Sequence, residues 1–314
     1  MGISSRWFSL CRAVVLLGTM GMASGASALY VGMYAIGDFV PESSGGCGAD
    51  DRSSWPGMAQ AWWDEMGVKG HYRGPSSSQY RYVDGNMTVR RFCDPAFDAD
   101  CRDYQSSSPA GVDWMDAAVI ATHGWDDGDH WGGVMRYPFE GECGLRFGGS
   151  STQSRWGDSW LMFLHASSCN SADDDNLDGI RFRMQDTATS SSRRMHQFDG
   201  FHGVMWISSS YNNNYKETAK DGHSGSIANA WVTNHFKSNS QACEWYDPFN
   251  WFGTCQDQCP IAYAIGSSGA DAQYRLLNER YNLTFGDPTS NGWYWYMYYE
   301  NCDPVGENRF GSAD

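Results

Sequence analysis

Five short apolar runs constrain the fold of this 314-residue chain more than any other feature: LYVGMYAI at 29–36, AAVIAT at 117–122, WLMFLHAS at 160–167, GVMWIS at 203–208 and PIAYAI at 260–265. Each has the length of a strand, and none alternates with polar residues, so each reads as a strand covered on both faces. Between them lie stretches with helical signals. Residues 55–66 (WPGMAQAWWDEM) follow a Ser-Ser pair and carry Pro56 near the start. Residues 226–236 read as a helical stretch, and 270–281 repeat apolar positions at helical spacing. An unbroken aromatic run, WYWYMYY at 293–299, reads as a last strand, whereas 67–112 is Gly/Ser/Tyr-rich and irregular. Strands alternating with helices predict an α/β protein, a three-layer αβα sandwich around a mostly parallel sheet. With no internal repeat or linker to divide it, residues 29–314 read as a single domain with long loops.

The N-terminal 28 residues read as an export signal. Arg6 and Arg12 precede or open an apolar run from Ala13 to Ala23, and Ala26-Ser27-Ala28 supplies an A-x-A cleavage site. No later stretch approaches the roughly 18 apolar residues of a membrane span. The expectation is a secreted protein, extracellular or periplasmic. Export makes disulfides the natural state of cysteine. Cys11 leaves with the signal, and the nine that remain, an odd number, leave at least one thiol unpaired. Most sit in polar loops, as in FCDPAFDADC, but Cys169 ends an apolar run and is the candidate for the free one. The pairing of the others is not legible, since eight cysteines allow about 105 connectivities. The formal net charge of −15 and the lack of a basic stripe argue against nucleic acid as a partner.

Two of the buried runs end in reactive side chains. His123-Gly124 follows the strand at 117–122, and Cys169 follows the strand at 160–167. In a parallel sheet, ligands bind at the carboxyl ends of the strands. Neighbouring, parallel strands here would bring thiol and imidazole to one edge, where the thiol attacks a carbonyl and the imidazole moves a proton to the leaving group. Gly124 allows close backbone approach, and its N–H is a candidate oxyanion donor.

A strand ending in His-Gly, followed about fifty residues later by one ending in Ser-Cys, resembles the caspase-like cysteine peptidases, the group of caspases, legumains, gingipains and clostripains. More closely, VDWMDAAVIATHG, then LRFGG with WGDSWLMFLHASSC, then FDGFHGVMWISSS resemble an uncharacterised family of predicted secreted caspase-like proteins, over about residues 110–270. The resemblance implies a caspase-like fold with Cys169 as nucleophile, His123 as catalytic histidine and Gly124 as oxyanion glycine. The sequence around the cysteine, A-S-S-C-N-S, departs from the caspase and legumain patterns.

Other groups compete for attention. Asp174, Asn176 and Asp178 followed by Gly179 match the first half of a calcium loop, but its twelfth position is Gln185 rather than glutamate. A structural calcium ion is therefore an expectation, and no cofactor is required for the thiol chemistry. Asp199 and His202 in FDGFHG are expected to line the same crevice as substrate-pocket residues, whereas His165, alternating with Phe163 and Ser167, reads as a packed core histidine. His123, Asp126 and His130 offer nitrogen and oxygen ligands without a recognised zinc spacing. Three functions follow in order: a secreted cysteine peptidase or related acyl-transfer hydrolase acting on peptide or protein substrates; a non-catalytic exported calcium- or carbohydrate-binding protein on the same scaffold; and a metal-dependent hydrolase.

Overall fold

The computed structural model describes residues 28–75, 80–85, 87–106, 110–149, 153–173, 176, 179–180, 195–238, 257–289, 293–299 and 302. The proposed signal, up to residue 27, lies outside them, as do Asp174 and Asp178 of the proposed calcium loop and Cys243 and Cys255.

Apolar runs become the centre of a seven-stranded sheet. Its strands are β1 (Val31–Ala35), β2 (Arg81–Val83), β3 (Ala117–Ala121), β7 (Phe163–Ser167), β8 (Gln197–His202), β9 (Cys259–Gly266) and β10 (Trp293–Tyr298), in the order β10-β9-β8-β7-β3-β1-β2. From β2 to β8 all neighbours are parallel, and β9 and β10 complete the sheet in antiparallel pairing. Every residue of β1, β3, β7, β8 and β9 is buried, as strands covered on both faces require. Between β3 and β7 the chain makes a separate antiparallel sheet from β4 (Gly124–Asp126), β5 (Trp131–Phe139) and β6 (Glu142–Phe147).

Helices α1 (Trp55–Val68), α2 (Asn212–Ser224), α3 (Ile227–His235) and α4 (Gly269–Asn278) pack in sequence, each against the next, along one face of the large sheet. Helix α1 buries Trp55, Met58, Trp62 and Met66, one turn apart. The hydroxyls of Ser226 and Ser268 cap α3 and α4 by accepting the N–H groups of Asn229 and Asp271. On the sheet, His165 stacks on Trp231 of α3 and meets Trp62 of α1 edge-on, so the expected core histidine is one. The opposite face is covered by the small sheet and loops, with Phe147 stacked on both Phe198 and Trp156. The described residues form a mixed α/β protein around a large, mostly parallel sheet.

Two readings change. The run at 203–208 is not a strand; the strand is the preceding segment, β8, whose polar residues Gln197, Asp199 and His202 are buried inside the core. Helix α2 is absent from the apolar pattern because it buries Tyr215, Thr218, Ala219 and Gly222, a stripe of mostly small or polar residues.

Three disulfides staple the described loops: Cys47–Cys143, Cys93–Cys101 and Cys259–Cys302. The first joins the loop after β1 to β6, across 96 residues of sequence. Asp113 anchors the entry to β7. Its buried carboxylate accepts the N–H groups of Gly157, Ser159, Trp160 and Leu161 at 2.8–3.2 Å. No helix among the described residues is long and apolar enough to cross a membrane.

Candidate active site

Strands β3 and β7 are adjacent and parallel, with Ala121 opposite Ser167. The pairing continues past the strands, as the Thr122 N–H donates to the Ser167 carbonyl at 3.3 Å. Carried further in the same register, His123 comes level with Cys169 at the carboxyl edge. Both side chains line one cavity of about 420 Å³. One wall is the loop following β1, Asp51–Ser54; the other is Met205, Trp206 and Ile207, just beyond β8.

The two chain crossovers run close together, and glycine makes this possible. A Cβ on Gly124 would lie 2.1 Å from Ser168 Oγ and 2.4 Å from the Cys169 carbonyl oxygen. Behind it, the Trp131 indole donates to Ser168 Oγ at 3.3 Å. The cysteine turn is completed by Asn170, which adopts a left-handed φ of 53° and donates its N–H to the Gly203 carbonyl at 2.7 Å. Ser171 Oγ sits beneath the turn, 2.8 Å from the Ser168 carbonyl, and accepts the Phe201 N–H at 3.0 Å.

His123 is held on three sides. Its ring lies 5.2 Å from that of Phe39 and 4.8 Å from that of Trp55, and its Nε2 is 2.8 Å from the Asp50 carbonyl oxygen. A carbonyl only accepts, so Nε2 carries the hydrogen and the lone pair of the neutral ring is on Nδ1. Burial lowers the pKa of this imidazole, against the opposing pull of the Asp50 carbonyl. The main chain is fixed as well, since the Val134 N–H donates to the His123 carbonyl at 2.9 Å.

Cys169 is a free cysteine, and it is half-buried. Its Sγ accepts the Met205 N–H at 3.3 Å. Burial pushes the thiol pKa up, while the Met205 N–H and the positive charge of Arg52 work in the other direction. A thiol in these surroundings rests protonated and ionises when a base takes its proton.

Asp199 and His202 are not at this cavity. Asp199 is fully buried in β8, where its Oδ2 lies 2.8 Å from His165 Nδ1 and its carboxylate accepts from the Gln197 amide at 2.7 and 2.9 Å. His202 is also buried, with Nδ1 3.4 Å from Asp173 Oδ2. The strand that carries them is covered on both faces, which turns both side chains into core contacts. Asn176, from the proposed calcium loop, is buried and donates to the Asn170 carbonyl at 3.0 Å. His130 pairs with its near neighbours Asp129 and Asp127 rather than with His123. Among the described residues no group of three His, Cys, Asp or Glu side chains is placed to hold a metal ion.

Reading the sequence for chemistry missed Arg52 and the Met205–Ile207 wall. Arg52 sits in a polar loop with no distinguishing pattern, and the wall belongs to an apolar run that resembles a buried strand.

A protein family described as Domain of unknown function (DUF6345) matches residues 66–285, more than half of the chain. The chain belongs to this family. Comparison with curated proteins finds no significant match. The DUF6345 span contains His123, Gly124, Cys169 and the Met205–Ile207 wall, whereas the Asp51–Ser54 wall precedes it.

Proposed function

We propose that this DUF6345 protein is a secreted cysteine peptidase, or a related acyl-transfer hydrolase, with Cys169 as nucleophile and His123 as acid–base. The observation that carries the reading is the meeting of a free thiol and a neutral imidazole in one cavity, at the carboxyl ends of adjacent parallel strands. The same placement underlies the resemblance to caspase-like peptidases. Disulfides in the described loops support export.

The chemistry follows from the protonation states. Nδ1 of His123 takes the Cys169 proton, and the thiolate adds to the substrate carbonyl, forming the S–C bond. The carbonyl π pair moves to oxygen, where the N–H groups of Gly124 and Cys169 are the proposed donors. Collapse expels the amine, protonated by the imidazolium. Water, deprotonated by the same imidazole, then releases the acid and restores the thiol.

Incubating the secreted protein with a mixture of peptides and reading products by mass spectrometry tests the proposal. Cleavage is expected from the native protein and none from Cys169→Ala or His123→Ala, since removing a member of such a unit costs about 10⁴-fold or more. Equal product from Cys169→Ala and native protein rules the reading out.

A carbohydrate-binding function on the same scaffold has one observation in its favour: Trp293 and Trp295 project from the same face of β10 and are 57% and 43% exposed. Retention on a polysaccharide column that Trp295→Ala abolishes supports it; elution in the void volume removes it.

A further inference from the structure

Beneath Cys169 lies a column of polar side chains that the proposed chemistry does not use. In β7, residues Phe163, His165 and Ser167 face the helices, and Ser167 is completely buried one strand repeat before the cysteine. Its Oγ is 2.5 Å from the Tyr215 hydroxyl of α2 and 3.3 Å from the Met205 sulfur. Met205 in turn presents its backbone N–H to Cys169 Sγ at 3.3 Å.

Hydrogen counting gives this column a direction. A thioether only accepts, so the single Ser167 proton goes to Met205 and the Tyr215 hydroxyl must donate to Ser167. Burial raises the Tyr215 pKa, so this donor keeps its proton throughout the working range. Met205 depends on such anchoring because residues 204–208 have no regular secondary structure to place their N–H groups. A second tie holds the adjacent residue. The Trp206 N–H donates to Gln258 Oε1 at 2.5 Å, and Gln258 Nε2 donates to the His235 carbonyl at the end of α3, also at 2.5 Å.

We infer that Tyr215 and Ser167 are positioning residues for the nucleophile, orienting the Met205 N–H toward the Cys169 sulfur. The column holds a donor against the thiolate as it forms, in a place where burial disfavours that charge. The consequence for peptide cleavage rests on the peptidase reading, but the effect on the thiol does not.

The test is the rate of Cys169 alkylation by iodoacetamide across pH, in which the thiolate displaces iodide and forms the S–C bond. Tyr215→Phe, Ser167→Ala and Met205→Leu are compared with native protein, each checked for native melting. A lost hydrogen bond to a charged group is worth about 1.5 kcal/mol or more, or about tenfold in ionisation. The variants should therefore react about tenfold more slowly at neutral pH and converge with native protein at a pH where every thiol is ionised. Met205→Leu removes only the sulfur acceptor, so it decides the matter if the other two fail to fold. Superposable pH–rate profiles for native protein and Met205→Leu would overturn the inference. Peptide cleavage is absent from every readout, so failure of the peptidase proposal leaves this result standing, and the reverse also holds.

Discussion

The two ends of β7 both gather polar groups, and they differ in what those groups have left to give. At the entry, Asp113 spends its carboxylate on four backbone N–H groups of the turn that feeds the strand. Burial and neighbouring Asp158 raise the Asp113 pKa, and burial with Asp113 raises that of Asp103. At the exit, His123 keeps one ring nitrogen uncommitted and Cys169 keeps its thiol, both facing the same cavity. Saturated polar groups organise a fold; groups with spare valence beside open space are the ones able to meet a substrate.

Exchanging the damage between the two ends is the strongest way to break this contrast. Cys169→Ala should abolish labelling by a thiol reagent while changing stability by about 1 kcal/mol or less. Asp113→Ala should do the reverse, lowering the free energy of unfolding by about 3–5 kcal/mol in urea titration, with the folded fraction still labelled at Cys169. A severe stability loss in the cysteine variant, or an unaffected Asp113 variant, would erase the distinction.

Gly124→Ala acts at the exit without removing a reactive group. The added Cβ meets the Ser168 hydroxyl and the Cys169 carbonyl oxygen, so the crossovers must part. On the proposed peptidase reading, peptide turnover is expected to fall about 100-fold, the scale of a small misplacement of reacting groups. Native turnover in this variant would remove the close approach from the account.

The ends should also titrate differently. Burial lowers the His123 pKa, so the neutral base persists below the pH at which free imidazole protonates, and the acid limb of activity should fall below about pH 6.5. Phe39→Ala, by admitting water to one face of the ring, should move that limb upward. At the entry, Asp103 and Asp158 hold protons in the folded state that unfolded carboxyls release above about pH 4. The folded state then binds more protons, so these groups favour folding in acid and lose that contribution as pH rises toward their folded pKa values. Asp103→Asn should flatten the decline in melting temperature between acidic and neutral pH, the smallest of these effects. An unchanged slope would mean that Asp103 ionises freely in the native protein.

Much of this site was legible in the residue pattern. AAVIAT and WLMFLHAS are apolar without alternation, the pattern of a doubly covered strand, and each is followed within a few residues by a member of the proposed dyad. The odd cysteine count and the apolar setting of Cys169 pointed to the thiol that is free in the structure. Periodicity located α1 and α3 because their buried faces carry large apolar side chains, and α4 because Ala272 and Leu276 recur one turn apart. It overlooked α2, where contacts are made by Thr218, Ala219 and Gly222, and it took GVMWIS for a strand because an apolar cavity wall and an apolar strand have the same composition.

By itself, then, the sequence determined which segments must be buried, which side chains carry reactive atoms and which of them end a strand, because burial and periodicity are local properties of a chain. Tertiary structure decided the partners. Arg52 and His123 line one wall and edge of the cavity only because β1 lies beside β3. Asp199 and His202 left the crevice for the core because β8 is covered by helices on one face and by Phe147 and its neighbours on the other. Met205 reaches the thiol because a helix without an apolar signature brings Tyr215 beneath Ser167. Such contacts join residues far apart in the chain, and their energies depend on the register of strands and the packing of helices, which no local pattern records.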